Sequence, residues 1–68
     1  MNEEMLNSTL RKFLKKVGIT AQREIEKAVR AAVADGRLNG SKALPAKATI
    51  RVDGVGLVFD VEGDIELG

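Results

Sequence analysis

The sequence has no cysteine, histidine, tryptophan or tyrosine, and only one proline and two phenylalanines. Without cysteine there is no disulfide and no thiolate metal site. Without histidine as well, the commonest general base, nucleophile and zinc ligands are all missing. No acid–base pair and no nucleophile with an activating neighbour can be named, so the chain is not expected to be an enzyme or to carry a metal or cofactor. With Phe13 and Phe59 as the only aromatic residues, the stacking platforms used by single-stranded nucleic acid binders are lacking. No basic segment followed by an apolar run opens the chain, and no stretch approaches the roughly 18 apolar residues of a membrane span. The expectation is a cytoplasmic protein with no membrane partner.

What is present is the composition of a folded chain: 68 residues, 44% hydrophobic and 31% charged, without a low-complexity tract. That length allows one small domain, residues 1–68. A core of this size rarely supplies more than about 3–5 kcal/mol, and with disulfide and metal excluded, oligomerisation is the remaining staple. Charge is segregated along the chain. All eleven basic residues lie from Arg11 to Arg51, against Glu24, Glu26 and Asp35 only. From Val52 onward the charges are Asp53, Asp60, Glu62, Asp64 and Glu66, with no cation. A near-neutral total therefore hides a polarised chain, which a partner could read.

Hydrophobic periodicity predicts two amphipathic helices followed by an antiparallel β-hairpin, an α+β (ααββ) domain. Leu6, Leu10, Phe13, Leu14 and Val17 share one helical face, predicting a helix over about 3–17. Asn2 is placed to cap it, with Glu3 and Glu4 in the first turn. Lys15 and Lys16 would then stand in its last turn, Gly18 at the left-handed terminating position, and Ile19 would pack back on Leu14. Thr20 would cap a second helix over about 21–35. Its stripe is Ala21, Ile25, Ala28, Val29, Ala32 and Val33, with Glu26 and Arg30 as an i, i+4 pair and Gly36 as the stop. A loop is expected over 36–45, containing Asn39, Gly40 and Ser41 with Leu38 tucked beneath it.

Beyond Pro45, which favours an extended Leu44, the period changes to two. Ala46, Ala48, Ile50 and Val52 share a face, and Asp53-Gly54 predicts a type I′ turn in a hairpin over 46–62. That turn would set Val52 opposite Val55, Ile50 opposite Leu57, Ala48 opposite Phe59 and Ala46 opposite Val61. Lys47 would face Asp60 on the other side. Residues 63–68 either continue the second strand past Gly63 or form a separate tail.

A lone hairpin is marginal in water and leaves both edges unpaired. Neither strand has an edge defence in its middle, and Val58 points outward between charged neighbours. A homodimer is therefore expected, through strand edges or helix faces. In the edge version, two hairpins form a four-stranded sheet backed by four helices.

Two functions from different classes follow. The first is a small non-enzymatic protein-interaction module, homodimeric, with a further protein partner possible through a strand edge, the helix faces or the polarised charge. The second is sequence-tolerant nucleic-acid binding by a basic surface of Arg11, Lys12, Lys15, Lys16, Arg23, Lys27 and Arg30. The plainer account of those cations is the solvated side of amphipathic helices, with Lys15 and Lys16 complementing a helix dipole. A helix-turn-helix fits at Phe13, Val17, Gly18 and Ile19 but fails beyond, where its spacing lands on Glu24 and Lys27. Alternation along a strand spreads the acidic run too far for a calcium or magnesium site, and Gly54-Val55-Gly56 precedes no helix that would bind phosphate.

The run Arg11-Lys12-Phe13-Leu14-Lys15-Lys16-Val17-Gly18-Ile19-Thr20 continues into Gln22-Arg23-Glu24-Ile25-Glu26 and Ala28-Val29. With Met1-Asn2-Glu3, Leu44-Pro45-Ala46 and Gly63-Asp64-Ile65-Glu66-Leu67, it resembles a family of short bacterial proteins known only as a domain of unknown function. The resemblance implies a free-standing bacterial cytoplasmic protein and carries no activity, ligand or catalytic residue.

Overall fold

The computed structural model describes residues 1–40 and 42–68. It divides into two units, Met1–Leu38 and Asn39–Gly68. The first is one α-helix, α1, spanning Glu3–Ala34; the second is a hairpin of β1, Ala43–Val52, and β2, Leu57–Glu66. The α+β class and the antiparallel hairpin agree with the sequence, but there is one helix where two were expected.

Asn2 caps α1 as anticipated: its side-chain Oδ1 accepts the Met5 N–H at 3.0 Å, with Glu3 and Glu4 following in the first turn. Gly18, Ile19 and Thr20 do not break the helix; all three are helical. Gly18 is absent from the glycines with positive φ. Glycine in a helix interior costs about 1 kcal/mol relative to alanine, which weakens a helix without ending it. No proline follows, and Ala21-Gln22-Arg23-Glu24 propagates helix well. The two stripes also largely share a phase. At about 100° per residue, Leu6, Leu10, Phe13, Leu14, Val17, Ala21, Ile25, Ala28 and Ala32 fall within an arc of about 120°, with Val29 and Val33 of the second stripe about 40° and 80° beyond its edge. A single helix thus keeps one apolar face from end to end, and a break would lose that.

The stop expected at Gly18 is absent, whereas the one expected at Gly36 is present, with φ 74°. The Gly36 N–H donates to the Val33 carbonyl at 3.1 Å and the Arg37 N–H to the Ala32 carbonyl at 3.0 Å. These are the two bonds of a Schellman terminus. Lys15 and Lys16 are consequently mid-helix, and the last turn of α1 holds no basic residue. They do not complement a helix C-terminal dipole.

In the hairpin, β1 begins at Ala43, so the expected loop over 36–45 is shorter. Asn39 and Gly40 lie in turns, and Ser41 lies outside the described residues. β2 runs through Gly63 to Glu66 without interruption, which places most of the expected tail in the strand. The register differs from expectation by two positions: Val52 faces Leu57, Ile50 faces Phe59, Ala48 faces Val61 and Ala46 faces Gly63. Lys47 faces Glu62, not Asp60, and Thr49 takes Asp60, its hydroxyl donating to Oδ1 at 2.7 Å. A shift of two leaves each side chain on its own face, so the predicted apolar face survives.

The cause is the turn. Asp53–Val55 forms a short 3₁₀ segment, the Gly56 N–H donates to the Asp53 carbonyl at 3.2 Å, and Gly56 is left-handed at φ 63°. Asp at the first position and Gly at the fourth suit a type I turn, and Gly56, not Gly54, supplies the positive φ. Alanine at Gly56 is accordingly expected to cost the hairpin about 1 kcal/mol. At Gly54 a Cβ meets nothing within 4 Å and φ is not positive, so alanine there should be near neutral. Chemical denaturation of the two variants checks this, because a type I′ turn requires Gly54→Ala to be costly.

The Leu67 N–H donates to the Lys42 carbonyl at 2.8 Å, extending the ladder by one pair. By the alternation of an antiparallel ladder, Leu44, Ala46, Ala48, Ile50 and Val52 bond inward to β2. Pro45 then stands at an outward position, where its missing N–H costs no ladder bond.

Among the described residues none is buried. Phe13 keeps 46% of its surface exposed, Leu57 43% and Phe59 44%. The residues that the sequence marks as core are therefore organised into faces without being enclosed.

Candidate interaction surface

The continuous helix gathers the seven basic residues proposed as a contact surface onto one side. At about 100° per residue, Arg11, Lys12, Lys15, Lys16, Arg23, Lys27 and Arg30 occupy the half of the cylinder opposite the apolar stripe. Lys12, Lys16, Arg23, Lys27 and Arg30 form a strip about 60° wide that runs about 27 Å along the axis. The two rows assigned to separate helices are thus one row.

The row is not uniform. Lys27 lies 3.5 Å from Glu24, and Arg30 lies 3.4 Å from Glu26, the second pair as expected from the sequence. Both are exposed helix-surface pairs, worth about 0.3–0.5 kcal/mol each. Gln22 Nε2 also donates to Glu26 Oε1 at 2.9 Å. Arg11, Lys12, Lys15, Lys16 and Arg23 have no ion pair among the described residues. Cation density free of local anions is concentrated in the N-terminal half of α1.

The opposite side carries the apolar stripe, and its make-up changes along the helix. Before Gly18 it is bulky, with Leu6, Leu10, Phe13, Leu14 and Val17; after it, Ala21, Ala28 and Ala32 are small, with Ile25 large and Val29 beyond the stripe's edge. Near mid-helix a shallow open groove is lined by Phe13, Lys16, Val17, Thr20, Ala21 and Glu24. These six positions lie symmetrically about the helix midpoint. Glu24 borders the apolar side there, a placement hidden as long as the chain is read as two helices. Met5, Ile19 and Val33 are exposed apolar residues outside the stripe.

On the hairpin, one face carries Leu44, Ala46, Ala48, Ile50 and Val52 with Leu57, Phe59, Val61 and Ile65. The other sets Lys47 against Glu62, Thr49 against Asp60 and Pro45 against Asp64, with Arg51 facing Val58. Arg51 Nε reaches Asp53 Oδ1 at 2.8 Å. The backbone groups left free along β2 belong to Val58, Asp60, Glu62, Asp64 and Glu66, and those along β1 to Ala43, Pro45, Lys47, Thr49 and Arg51. Pro45 is an edge defence that the sequence reading passed over, because the outward register was not yet fixed.

Among the described residues no group of three or more carboxylates comes together to hold a metal ion. No helix is long and apolar enough to cross a membrane, judged on the same residues. The turn that a helix-turn-helix needs near Gly18 does not exist, since α1 passes straight through it.

Among known proteins, a family model described as a family of unknown function, DUF6494, matches residues 1–68. No curated protein and no solved structure matches the chain.

Proposed function

The chain belongs to DUF6494, a family of unknown function, and on that premise we propose that it is a small non-enzymatic protein-interaction module that works as a homodimer. A bacterial cytoplasmic setting, implied by the sequence resemblance, belongs to the same proposal. The observation that carries it is the absence of any buried residue among those described, alongside a continuous apolar stripe on α1 and an apolar face on the hairpin. Isolated helices and two-stranded hairpins gain too little from their own hydrogen bonds to be stable in water. Faces so regularly built are explained by a partner surface that covers them.

A second copy can be engaged through strand edges or through helix faces. Edge pairing into a four-stranded sheet meets an electrostatic obstacle on each side. Twofold pairing of β2 with its copy sets Asp60, Glu62, Asp64 and Glu66 against the same residues. Pairing β1 with its copy brings Pro45, which cannot donate, together with Lys47 and Arg51 against like charge. The helix face has neither obstacle and is the favoured route.

The five cations of α1 without an ion pair support the second reading, sequence-tolerant binding of nucleic acid along the basic row. Light scattering at low and high salt, with and without bulk duplex DNA and RNA, separates the two. The module reading predicts a dimer whose mass is independent of salt and which carries no nucleic acid. A monomer that gains mass only with nucleic acid at low salt, and loses it when Lys12, Lys16 and Lys27 are changed to Glu, overturns that reading in favour of the other.

A further inference from the structure

Resting on the homodimer reading above, we propose that the partner of α1 is the α1 of a second copy, lying antiparallel across a twofold axis near Gly18 and Ile19. The first argument is volume. About that centre, Leu6 meets Ala32 of the second copy, Leu10 meets Ala28, Phe13 meets Ile25 and Val17 meets Ala21. Leu6, Leu10 and Val17 are each set against an alanine, the arrangement that lets facing side chains interdigitate, while Phe13 meets Ile25 and Leu14 lies level with Glu24. A parallel pair sets bulky on bulky in one half and alanine on alanine in the other, opening a gap where the helices are held apart.

The second argument is charge. Lys16 and Glu24 border the same mid-helix groove, and in the single chain Glu24 has only the exposed Lys27 beside it at 3.5 Å. In the antiparallel pair Lys16 comes within about a turn of Glu24 of the second copy, twice by symmetry. In a parallel pair Lys16 faces Lys16 and Glu24 faces Glu24. The cations Arg11, Lys12 and Lys15, which have no ion pair, would also crowd with their copies at one end. Opposed helix dipoles act in the same direction.

The third argument is the spacing of the stripe. The stripe advances about 3.7 residues per step, close to an 11-residue repeat, so the two helices run nearly straight past each other instead of supercoiling in the left-handed sense.

The chain contains no cysteine, which makes cross-linking the direct test. Leu10→Cys and Ala28→Cys are prepared separately, then oxidised alone and as an equimolar mixture. The antiparallel pair predicts a covalent dimer in the mixture and little in either variant alone. Self-linked Leu10→Cys shows a parallel pair and overturns the inference while leaving the homodimer standing. A non-covalent dimer with no link in any sample places the interface elsewhere and overturns it equally. A chain that is monomeric at every concentration removes the homodimer itself. Because core cysteines can disturb folding, the charge swap is run beside them. Lys16→Glu and Glu24→Lys should each weaken association about tenfold, and the double variant should return it close to the original value. Additive losses in the double variant contradict the pairing.

Discussion

Replacing Gly18 by proline is expected to cost about 3 kcal/mol or more and to divide α1, whereas Gly18→Ala is expected to stabilise it by about 1 kcal/mol. The two signs come from one geometry. Gly18 lies sixteen positions into the helix, without a positive φ, and a Cβ built on it meets nothing within 4 Å. Alanine there restores helix propensity and touches no neighbour. Proline removes an interior N–H and clashes with the preceding turn. Had Gly18 been the left-handed stop of a shorter helix, alanine would instead be destabilising by a similar amount, because the left-handed conformation disfavours a side chain. Urea denaturation followed by far-ultraviolet circular dichroism gives both values. A loss of stability in Gly18→Ala would show that the chain turns at this residue.

Replacing Phe13 by aspartate is expected to weaken self-association by at least about 100-fold, while Ile19→Asp leaves it nearly unchanged. The comparison is informative because the two residues are almost equally exposed in the single chain, 46% and 51%. Contacts within one chain therefore distinguish them poorly. Position on the helix distinguishes them sharply: Phe13 lies in the apolar stripe beside the groove, and Ile19 lies among the cations on the other side. At Phe13 the charge has to be desolvated against a second copy; at Ile19 it stays in water. Sedimentation of the two variants over a dilution series measures the difference. Equal effects at both positions would mean that the stripe is not the contact.

Much of the hairpin was legible in the sequence, because a period of two leaves little choice of face. Ile50, Val52, Leu57 and Phe59 were assigned to one side correctly, even though the turn was not. The turn was misread because Asp53-Gly54 satisfies a type I′ preference while Asp53 and Gly56 together satisfy a type I turn. Two glycines two residues apart supply both solutions, and only the backbone angles choose between them. The helix was misread for a related reason. Gly18 followed by Ile19 and Thr20 has the local chemistry of a stop and a restart, which masks the phase. The signal against a break was the common phase of Leu10, Val17, Ala21 and Ala28, which only a continuous helix preserves. The basic residues were all identified, but as two rows on two helices. Their union into one strip, and Glu24 at the margin of the apolar side, became visible only with the helix unbroken.

The central claim is that a second copy covers the apolar stripe of a single continuous helix. The measurement that tests it most directly is a dilution series of the unmodified protein in which mass and helicity are recorded on the same samples. The account predicts the mass of two chains at high concentration, unaffected by salt, and a loss of helicity that follows dissociation, since an uncovered helix has little to hold it. A mass of one chain at every concentration, with helicity undiminished, would contradict it.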